Sequence, residues 1–345
     1  MRQKAMIPEN KLLFICTRKN FQLEHQEAVL EICNKSKIKW EVVHLTALQH
    51  QVISLVYRNL LKCKHAGLEI TSDILAKFKA DVTIFYSNKL KQEQDITDVL
   101  SYFNKKSVDV MLIKGSDLNF TVYQDFPEYI IGDDTDLMLG NHFEEVSKQE
   151  DQEDITFFEK LNTFFEWERF QHHDVSMNGM LPIDFGEIWT SSKEETFKGQ
   201  KVLIMSPENI LLANCINSCR KRFFRLKSLC DIAETIEFFN TLNWEIFIKN
   251  TEKYCCRYIV YTSLLITNIT VKSDLPKNVL SRLNISKSKA VLIYLLVKFL
   301  CNYVPLNSLL SSPKVGLLRK NITFSLILKF IVCNNWLRYL IATSK

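Results

Sequence analysis

The chain has 345 residues, 47% of them hydrophobic and 24% charged, and a formal net charge of +5. This composition is rich enough in apolar residues for a buried core and excludes an intrinsically disordered chain, while the mild charge makes no strong electrostatic case for nucleic-acid binding. The 8 glycines exclude collagen-like and glycine-serine linker sequences, and the absence of a Gly-x-Gly-x-x-Gly motif counts against a dinucleotide-binding domain.

The first 107 residues predict helices, because apolar residues recur there at helical spacing. We expect one helix over Phe21 to Cys33, a second over Leu45 to Leu61, and a third, long helix that begins near Thr71. Since no charged stripe in this region indicates chemistry, we interpret it as scaffold.

The pattern changes at residue 108, where short apolar runs and turn residues predict mixed strand and helix. Val108 to Ile113 predicts a buried strand, followed by a turn over Lys114 to Asp117 and a helix through Tyr123. Ile130 to Leu139 predicts a second strand, and a helix is expected over residues 142–168.

Three further strands are predicted before residue 207. Asp174 to Met177 and Leu181 to Trp189 flank an Asn178-Gly179 pair, which is a strong signal of a hairpin. Lys201 to Met205 predicts the last short strand.

From Pro207 onward the sequence predicts helices. Ala290 to Leu310 is apolar but interrupted by a lysine, an asparagine and a proline, so we expect a buried core helix rather than a membrane span. Phe324 to Ile341 predicts an amphipathic helix, which leaves open a lid, a partner-binding helix or attachment to a membrane surface.

Together these elements predict an α+β fold, a small mixed β-sheet core flanked by N- and C-terminal helical regions. We expect an N-terminal helical region over residues 1–107, an α/β core over 108–206 and a C-terminal helical region over 207–345. The ten cysteines are scattered without a Cys-x-x-Cys pair, and the first residues lack the apolar run of a signal peptide. We therefore expect a cytoplasmic protein with reduced thiols.

Two carboxylates on the second predicted strand carry the first chemical signal. Asp134 and Asp136 flank Thr135, and alternate residues of a strand lie on the same side, about 6–7 Å apart. Two such carboxylates can share Mg²⁺ ions, which prefer oxygen ligands. Asp133 has the opposite parity and is the weaker candidate.

A strand, a glycine turn and a predicted helix precede this pair. Gly115 allows a ligand to approach the backbone closely, and Ser116 supplies a hydroxyl and an N–H at the predicted start of the helix, an arrangement that binds phosphate. Lys114 is a candidate phosphate partner, with a position along the sheet as the alternative. Asp184, between apolar neighbours on a later predicted strand, is the candidate third carboxylate.

Three carboxylates and a Gly-Ser turn predict a two-metal nucleotidyl-transfer site. One Mg²⁺ ion would activate an acceptor hydroxyl, and the other would hold the triphosphate and the leaving pyrophosphate. The alternative is a structural α/β core whose acidic residues are solvated strand ends.

These motifs resemble one known family, the uncharacterised nucleotidyltransferase family of the DNA polymerase beta-type superfamily. The similar segments are Leu112-Ile113-Lys114-Gly115, then Tyr123, then Gly132-Asp133-Asp134-Thr135-Asp136-Leu137-Met138-Leu139, and later Ile183-Asp184-Phe185-Gly186-Glu187-Ile188-Trp189. The similarity in order and spacing covers roughly residues 20–260.

The resemblance implies a nucleotidyltransferase that transfers an NMP from an NTP such as ATP to an acceptor hydroxyl and releases pyrophosphate. Asp134 and Asp136 would bind two Mg²⁺ ions, with Mn²⁺ as a substitute, and Asp184 would bind the catalytic ion and help to deprotonate the acceptor. The acceptor stays open among a small molecule, a peptide, a protein and RNA, and no stable membrane insertion is expected.

The resemblance also places the β and γ phosphates of the NTP against Lys114, Gly115 and Ser116. The sequence departs from the family pattern where an arginine precedes the two aspartates, here Ile130, and where a histidine follows the third carboxylate, here Gly186. A catalytically degenerate protein of the same fold, which binds or scaffolds a partner, is therefore the alternative function.

A basic cluster lies in the C-terminal region and consists of Arg220, Lys221, Arg222, Arg225 and Lys227. On one helix, Lys221 would neighbour Arg225, and Arg220 would neighbour Lys227. Arg220, Arg222, Arg225 and Lys227 are candidate anion-binding residues for a triphosphate, an anionic acceptor or RNA. The alternatives are a solvated helix face and a nucleic-acid-binding protein that uses this patch.

Overall fold

The computed structural model describes residues 6–126, 135–140, 165–169, 177, 179–306 and 331–332. Within these ranges a small mixed β-sheet is flanked in the chain by N- and C-terminal helical regions, which confirms the predicted α+β fold. The N-terminal helices are α1 (Pro8–Cys16), α2 (Leu23–Lys35), α3 (Trp40–Gln49), α4 (Ile53–His65) and α5 (Ser72–Lys105).

The helix predicted over Phe21 to Cys33 is confirmed as α2, and the long helix from Thr71 as α5. A single helix over Leu45 to Leu61 is wrong, because the chain breaks between α3 and α4. His50 explains the break: its buried ring accepts a hydrogen bond from the Leu226 N–H at 3.1 Å and meets the Leu306 carbonyl oxygen at 3.1 Å. These long-range bonds stabilise a bend that helical spacing alone does not predict.

The strands of the described chain form one sheet in the order β3-β2-β1-β5-β4. Their bounds are β1 (Val110–Leu112), β2 (Thr135–Leu139), β3 (Phe165–Arg169), β4 (Lys193–Phe197) and β5 (Gln200–Ile204). β1 pairs antiparallel with β2 and parallel with β5, β2 pairs parallel with β3, and β4 pairs antiparallel with β5. At one end of the sheet, the carboxyl ends of β1 and β5 therefore lie beside the amino end of β2. The candidate site lies at this end of the sheet.

Several strand predictions are confirmed. The strands expected at Val108 to Ile113 and at Lys201 to Met205 are β1 and β5, and β2 is the described part of the second strand. Residues 130–134 lie outside the described residues. The helix after β1 is α6 (Gly115–Phe120), which is shorter than the helix predicted through Tyr123.

The strand predicted over Leu181 to Trp189 is wrong. Residues 181–184 are irregular, and α7 (Phe185–Thr190) follows them. Asp184 caps this helix, since its Oδ1 accepts a hydrogen bond from the Glu187 N–H at 3.0 Å. The capping interaction therefore prevails over the apolar alternation that predicted a strand.

Two other predictions for the core change as well. The helix expected over 142–168 is wrong at 165–168, which belong to β3, and residues 142–164 lie outside the described residues. Of the strand expected at Asp174 to Met177, only Met177 is described, and it lies in a turn. β4 was not predicted, because its charged sequence has no apolar alternation.

The C-terminal region is helical, as predicted. Its helices are α8 (Pro207–Arg220), α9 (Leu226–Phe238), α10 (Trp244–Lys253), α11 (Arg257–Thr270), α12 (Val279–Arg282) and α13 (Lys287–Tyr303). The helix expected over Ala290 to Leu310 is present in the described residues as α13, but it is only partly buried, because α13 buries Ile293 and Val297 and exposes an apolar face. Most of Phe324 to Ile341 lies outside the described residues.

The N-terminal helices contact the C-terminal helices through a buried arginine. Arg18 Nε donates to Glu234 Oε1 at 2.8 Å, and Arg18 also binds Glu237 and the Val271 carbonyl oxygen. The division into three regions at 107 and 206 stays a prediction. No helix in the described ranges combines the length and apolarity that crossing a membrane requires, and the cysteines described there are free thiols.

Candidate active site

The predicted turn after β1 forms a tight corner. Lys114 stands before α6 with φ 55° and ψ −129°, a backbone conformation that non-glycine residues rarely adopt. The Ser116 N–H donates to the Ile113 carbonyl oxygen at 3.3 Å, and the Ile113 N–H donates to the Asp136 carbonyl oxygen at 3.3 Å. Backbone strain of this kind is common at functional sites. Here the strained backbone directs the Lys114 side chain toward β2.

A buried ion pair joins the two predicted motifs. Lys114 Nζ lies 2.6 Å from Asp136 Oδ1, and the side chains are only 9% and 8% exposed. The structure therefore brings the lysine of the turn and the second aspartate of the Asp-x-Asp motif together. Asp134 and Asp133 lie outside the described residues.

Buried polar atoms lie next to Lys114 in the chain. Ser116 Oγ and both carboxylate oxygens of Asp117 are buried without a partner at full hydrogen-bond geometry, although the backbone N–H of Leu118 is close enough to lower the pKa of Asp117. Burial raises the pKa of Asp117 well above its usual range, and the charges of Asp231 and Asp136 raise it further. The neutral carboxyl is a hydrogen-bond donor. Since buried polar atoms are nearly always bonded, these atoms are available to a ligand or an ion.

A second buried network lies behind α6. Tyr123 Oη donates to Asp231 Oδ1 at 3.1 Å, and Lys227 Nζ donates to Asp231 Oδ2 at 2.8 Å. Asp231 and Lys227 belong to α9, whereas Tyr123 follows α6, so the network ties the C-terminal helices to the turn. Asp117 interacts electrostatically with Lys227, Asp231 and Asp136.

The basic cluster is not a helix face, contrary to the prediction. α8 ends at Arg220 and α9 begins at Leu226, and Arg222 in the turn between them has φ 60°. The proposed helical neighbours are thus separated by a turn. Lys227 is buried in an ion pair with Asp231. The sequence alone does not show that this charged residue lies inside the protein. Anion binding by Arg220, Arg222 and Arg225 stays a prediction.

Asp184 occupies an unexpected place. It is exposed and caps α7, and it interacts electrostatically with Glu187 and Tyr254. Glu187 itself binds the Tyr254 hydroxyl at 2.9 Å and Lys253. The strand that was expected to carry Asp184 into the cleft is absent, so its role as a metal ligand stays a prediction without that geometric support.

A different carboxylate residue stands beside the Asp-x-Asp strand. In the parallel register of β2 and β3, Glu166 is the partner of Asp136. The sequence pattern did not predict this residue, because residues 142–168 favoured a helix. The alternating segment Phe165-Glu166-Trp167-Glu168-Arg169 was the signal that could have found it.

A cavity of about 660 Å³ lies between the end of α6 and the strands β4 and β5, and the residues of the turn are not among its walls. Its walls include Asn119 of α6, the aromatic rings of Phe120, Phe197 and Phe238, and Ile204 of β5. Because Ile204 pairs with Leu112 of β1, the cavity reaches the same sheet edge as Lys114. Asn119 Oδ1 is buried without a partner, while its amide nitrogen donates to Glu93. The cavity is of a size that holds a small molecule.

The donor set suits Mg²⁺ in its chemistry. Carboxylate oxygens such as those of Asp136 are the ligands that Mg²⁺ prefers. Among the described residues, to which Asp134 does not belong, no group of three metal-ligating side chains is found.

Comparison with known proteins agrees with this geometry. The model of a family described as an uncharacterised nucleotidyltransferase matches residues 36–272, which include the ion pair, the turn and the network around Asp231. No curated protein and no solved structure gives a significant match. The family match spans more than half of the chain, and the protein therefore belongs to the uncharacterised nucleotidyltransferase family.

Proposed function

We propose that this protein is an Mg²⁺-dependent nucleotidyltransferase that transfers an NMP from an NTP to an acceptor hydroxyl and releases pyrophosphate. Family membership supports a general nucleotidyltransferase activity. The observation that carries the finer proposal is the buried Lys114–Asp136 pair, with partnerless polar atoms of Ser116 and Asp117 beside it. A polar, water-poor site of this kind suits a charged substrate that completes its hydrogen bonds.

The turn supplies the groups that would hold the triphosphate. Lys114 would share its ammonium between Asp136 and a phosphate oxygen, and the Ser116 hydroxyl would donate to a second oxygen. Burial raises the pKa of Asp117 and so favours its protonated form, in which it would add no negative charge against the phosphates and would donate its proton in a hydrogen bond. Each of these groups would bind the nucleotide without giving up a hydrogen bond within the folded chain.

The transfer forms one bond and breaks one. The acceptor oxygen bonds to the α-phosphorus of the NTP as the bond between that phosphorus and the β-phosphate bridge breaks, and pyrophosphate leaves. The acceptor proton passes to a carboxylate of the site. Asp134 and Asp136 would hold Mg²⁺, which would supply charge neutralisation and lower the pKa of the acceptor hydroxyl. Glu166, the register partner of Asp136, is our candidate for the third carboxylate in place of Asp184.

The cavity at the end of α6 is the place that we propose for the acceptor. Its aromatic walls favour an apolar or ring-containing group, and Asn119 Oδ1 would accept a hydrogen bond from it. This favours a small molecule or a single side chain over a broad surface as the group that enters. Proteins and RNA that present such a group remain acceptors of the same chemistry.

Nucleotide binding tests the proposal before the acceptor is identified. Thermal unfolding is measured with each NTP, with and without Mg²⁺, because a ligand that binds only the native state raises the melting temperature. We expect a rise that requires Mg²⁺ and is reduced in Lys114→Met relative to the unliganded variant. A rise that is unchanged by loss of Mg²⁺ and by this substitution would contradict the site.

The alternative is a degenerate binding or scaffold protein, and the exposed capping position of Asp184 favours it. The two functions separate on turnover. A scaffold binds an NTP without ever releasing pyrophosphate, even when extracts that contain acceptors are supplied, whereas an enzyme releases it in proportion to the acceptor.

A further inference from the structure

The charges of the chain are divided unevenly along its length. Residues 275–345 hold eleven lysines and arginines and no aspartate or glutamate, whereas residues 1–274 hold 33 basic and 39 acidic residues. The mild overall charge of +5 therefore hides a strongly basic C-terminal stretch on an acidic body. Such an asymmetry indicates an anionic partner for the basic stretch.

The helix α13 lies in this stretch and exposes an apolar face. Val291 and Leu295 are each 59% exposed, and Leu292 and Phe299 are also exposed. Of the 13 large hydrophobic side chains that are exposed in the described ranges, six lie on this one helix. The helix buries its opposite side and packs on α11. An apolar row of this density marks a contact surface rather than ordinary scattered exposure.

Lysines flank this apolar face. Lys287 precedes Val291 by one turn, and Lys298 follows Leu295 by three residues, and both lysines are exposed. Lys298 Nζ lies 5.1 Å from the centre of the Tyr294 ring, so its aliphatic stem runs along the apolar surface. Long basic side chains of this kind keep their charge at the level of lipid headgroups while the apolar residues enter the bilayer interface.

We propose that α13, through its apolar face and the lysines that flank it, binds the surface of an anionic phospholipid membrane. Lipid is the occupant that matches both features, since acyl chains take the apolar row and anionic headgroups take the lysines. The chain's own residues 307–345, or a second copy that contacts α13 through its own α13, would bring more positive charge against the same lysines. RNA would satisfy the charge but leave the aliphatic row of Val291 and Leu295 in water.

Vesicle binding by the full-length chain tests the proposal. Cosedimentation is measured with vesicles of phosphatidylcholine alone and of phosphatidylcholine mixed with phosphatidylserine, at low and at high salt. We expect binding to the phosphatidylserine vesicles, weaker at high salt. Val291→Ser/Leu295→Ser should weaken it about tenfold through lost apolar burial, and Lys287→Glu/Lys298→Glu by at least roughly fivefold for each lysine removed.

A matched double substitution on another helix controls for the loss of exposed apolar area. Ile84 and Leu90 are 58% and 48% exposed on α5, and Ile84→Ser/Leu90→Ser should bind vesicles like the wild type. Circular dichroism checks that each variant melts like the parent chain. The proposal is overturned if the wild type does not bind phosphatidylserine vesicles, or if the α5 pair weakens binding as much as the α13 pair. Binding to an RNA oligonucleotide or self-association that depends on α13, without vesicle binding, would also overturn it.

Discussion

Lys114 Nζ donates a hydrogen bond to Asp136 Oδ1 across 2.6 Å, and both side chains are less than a tenth exposed. The pair connects the end of β1 to the beginning of β2, so the fold of the sheet and the geometry of the site depend on the same contact. Removing one partner of a buried pair typically costs about 3–5 kcal/mol, because the other charge stays buried. Variants of the site therefore need a stability control.

Ser116→Ala separates binding from stability. Because Ser116 Oγ is buried and bonds to no protein atom, its removal should leave the free energy of unfolding unchanged or raise it by about 1 kcal/mol. The affinity for an NTP should fall by roughly tenfold, since one hydrogen bond to phosphate is lost. Denaturant unfolding and a titration with NTP and Mg²⁺ measure the two effects. A destabilised variant with unchanged affinity would show that Ser116 has a structural role only.

Glu166→Gln and Glu168→Gln form a matched pair on β3. Glu166 is the register partner of Asp136, and Glu168 is the partner of Met138. If Glu166 supplies the third carboxylate, Glu166→Gln should lower turnover at least about a hundredfold, and Glu168→Gln should change it little. Asp184→Asn should retain activity, because Asp184 caps α7. Steady-state rates of the three variants decide between the two carboxylates, and a loss confined to Asp184→Asn would favour Asp184 as the third carboxylate.

Asp117→Asn should change how stability depends on pH. Burial raises the pKa of Asp117 in the folded protein, so the folded state holds its proton where the unfolded state has lost it. Wild-type stability therefore falls as the pH rises from the unfolded pKa of about 3.9 toward the raised folded pKa, by about 1.4 kcal/mol for each pH unit. The variant has no titrating carboxyl at this position, so its stability relative to that of the wild type should increase as the pH rises from acid to neutral. Urea unfolding across this range checks it, and a constant difference would refute it.

The buried ring of His50 should make the folded protein less stable in acid. Burial is the largest cause that lowers its pKa to about 4, so the folded state excludes a proton that the unfolded state binds below its pKa of about 6.5. The stabilisation is present above pH 6.5 and is lost as the pH falls toward 4, for a total of about 3 kcal/mol. His50→Gln should be less stable at neutral pH, and its deficit should shrink by about that amount in acid near the folded pKa. A deficit that is the same at both pH values would contradict the buried neutral ring.

Local patterns predicted the parts of the site that are local in sequence. The apolar run before Lys114 and the glycine after it predicted β1 and the turn, and the Asp-x-Asp motif predicted Asp136 on β2, while Asp134 lies outside the described residues. Asp184 was misplaced because its apolar neighbours alternate as in a strand. Yet Asp184 followed three residues later by Glu187 is also a helix-capping pattern, and the structure takes that form.

Long-range packing accounts for what the sequence did not predict. Lys227 belonged to a basic patch by sequence, but α9 packs inside the protein and pairs it with Asp231 at spacing i, i+4. The register that sets Glu166 beside Asp136 depends on a parallel pairing between distant segments. The break at His50 depends on bonds to Leu226 and Leu306, both far away in the chain. The burial of Lys227, the pairing of β2 with β3 and the bonds of His50 each depend on segments that are distant in the sequence.

Pyrophosphate release is the most direct measurement of the proposed activity. The wild type and Asp136→Asn are incubated with Mg²⁺, each NTP and an acceptor-containing extract, at a temperature where melting curves show both proteins folded. Asparagine keeps an oxygen for Lys114 but loses the charge that a metal ion needs. The wild type should release pyrophosphate with at least one NTP, and Asp136→Asn should release it at least about a hundredfold more slowly. Equal rates of release by the two proteins would contradict the assignment of this site.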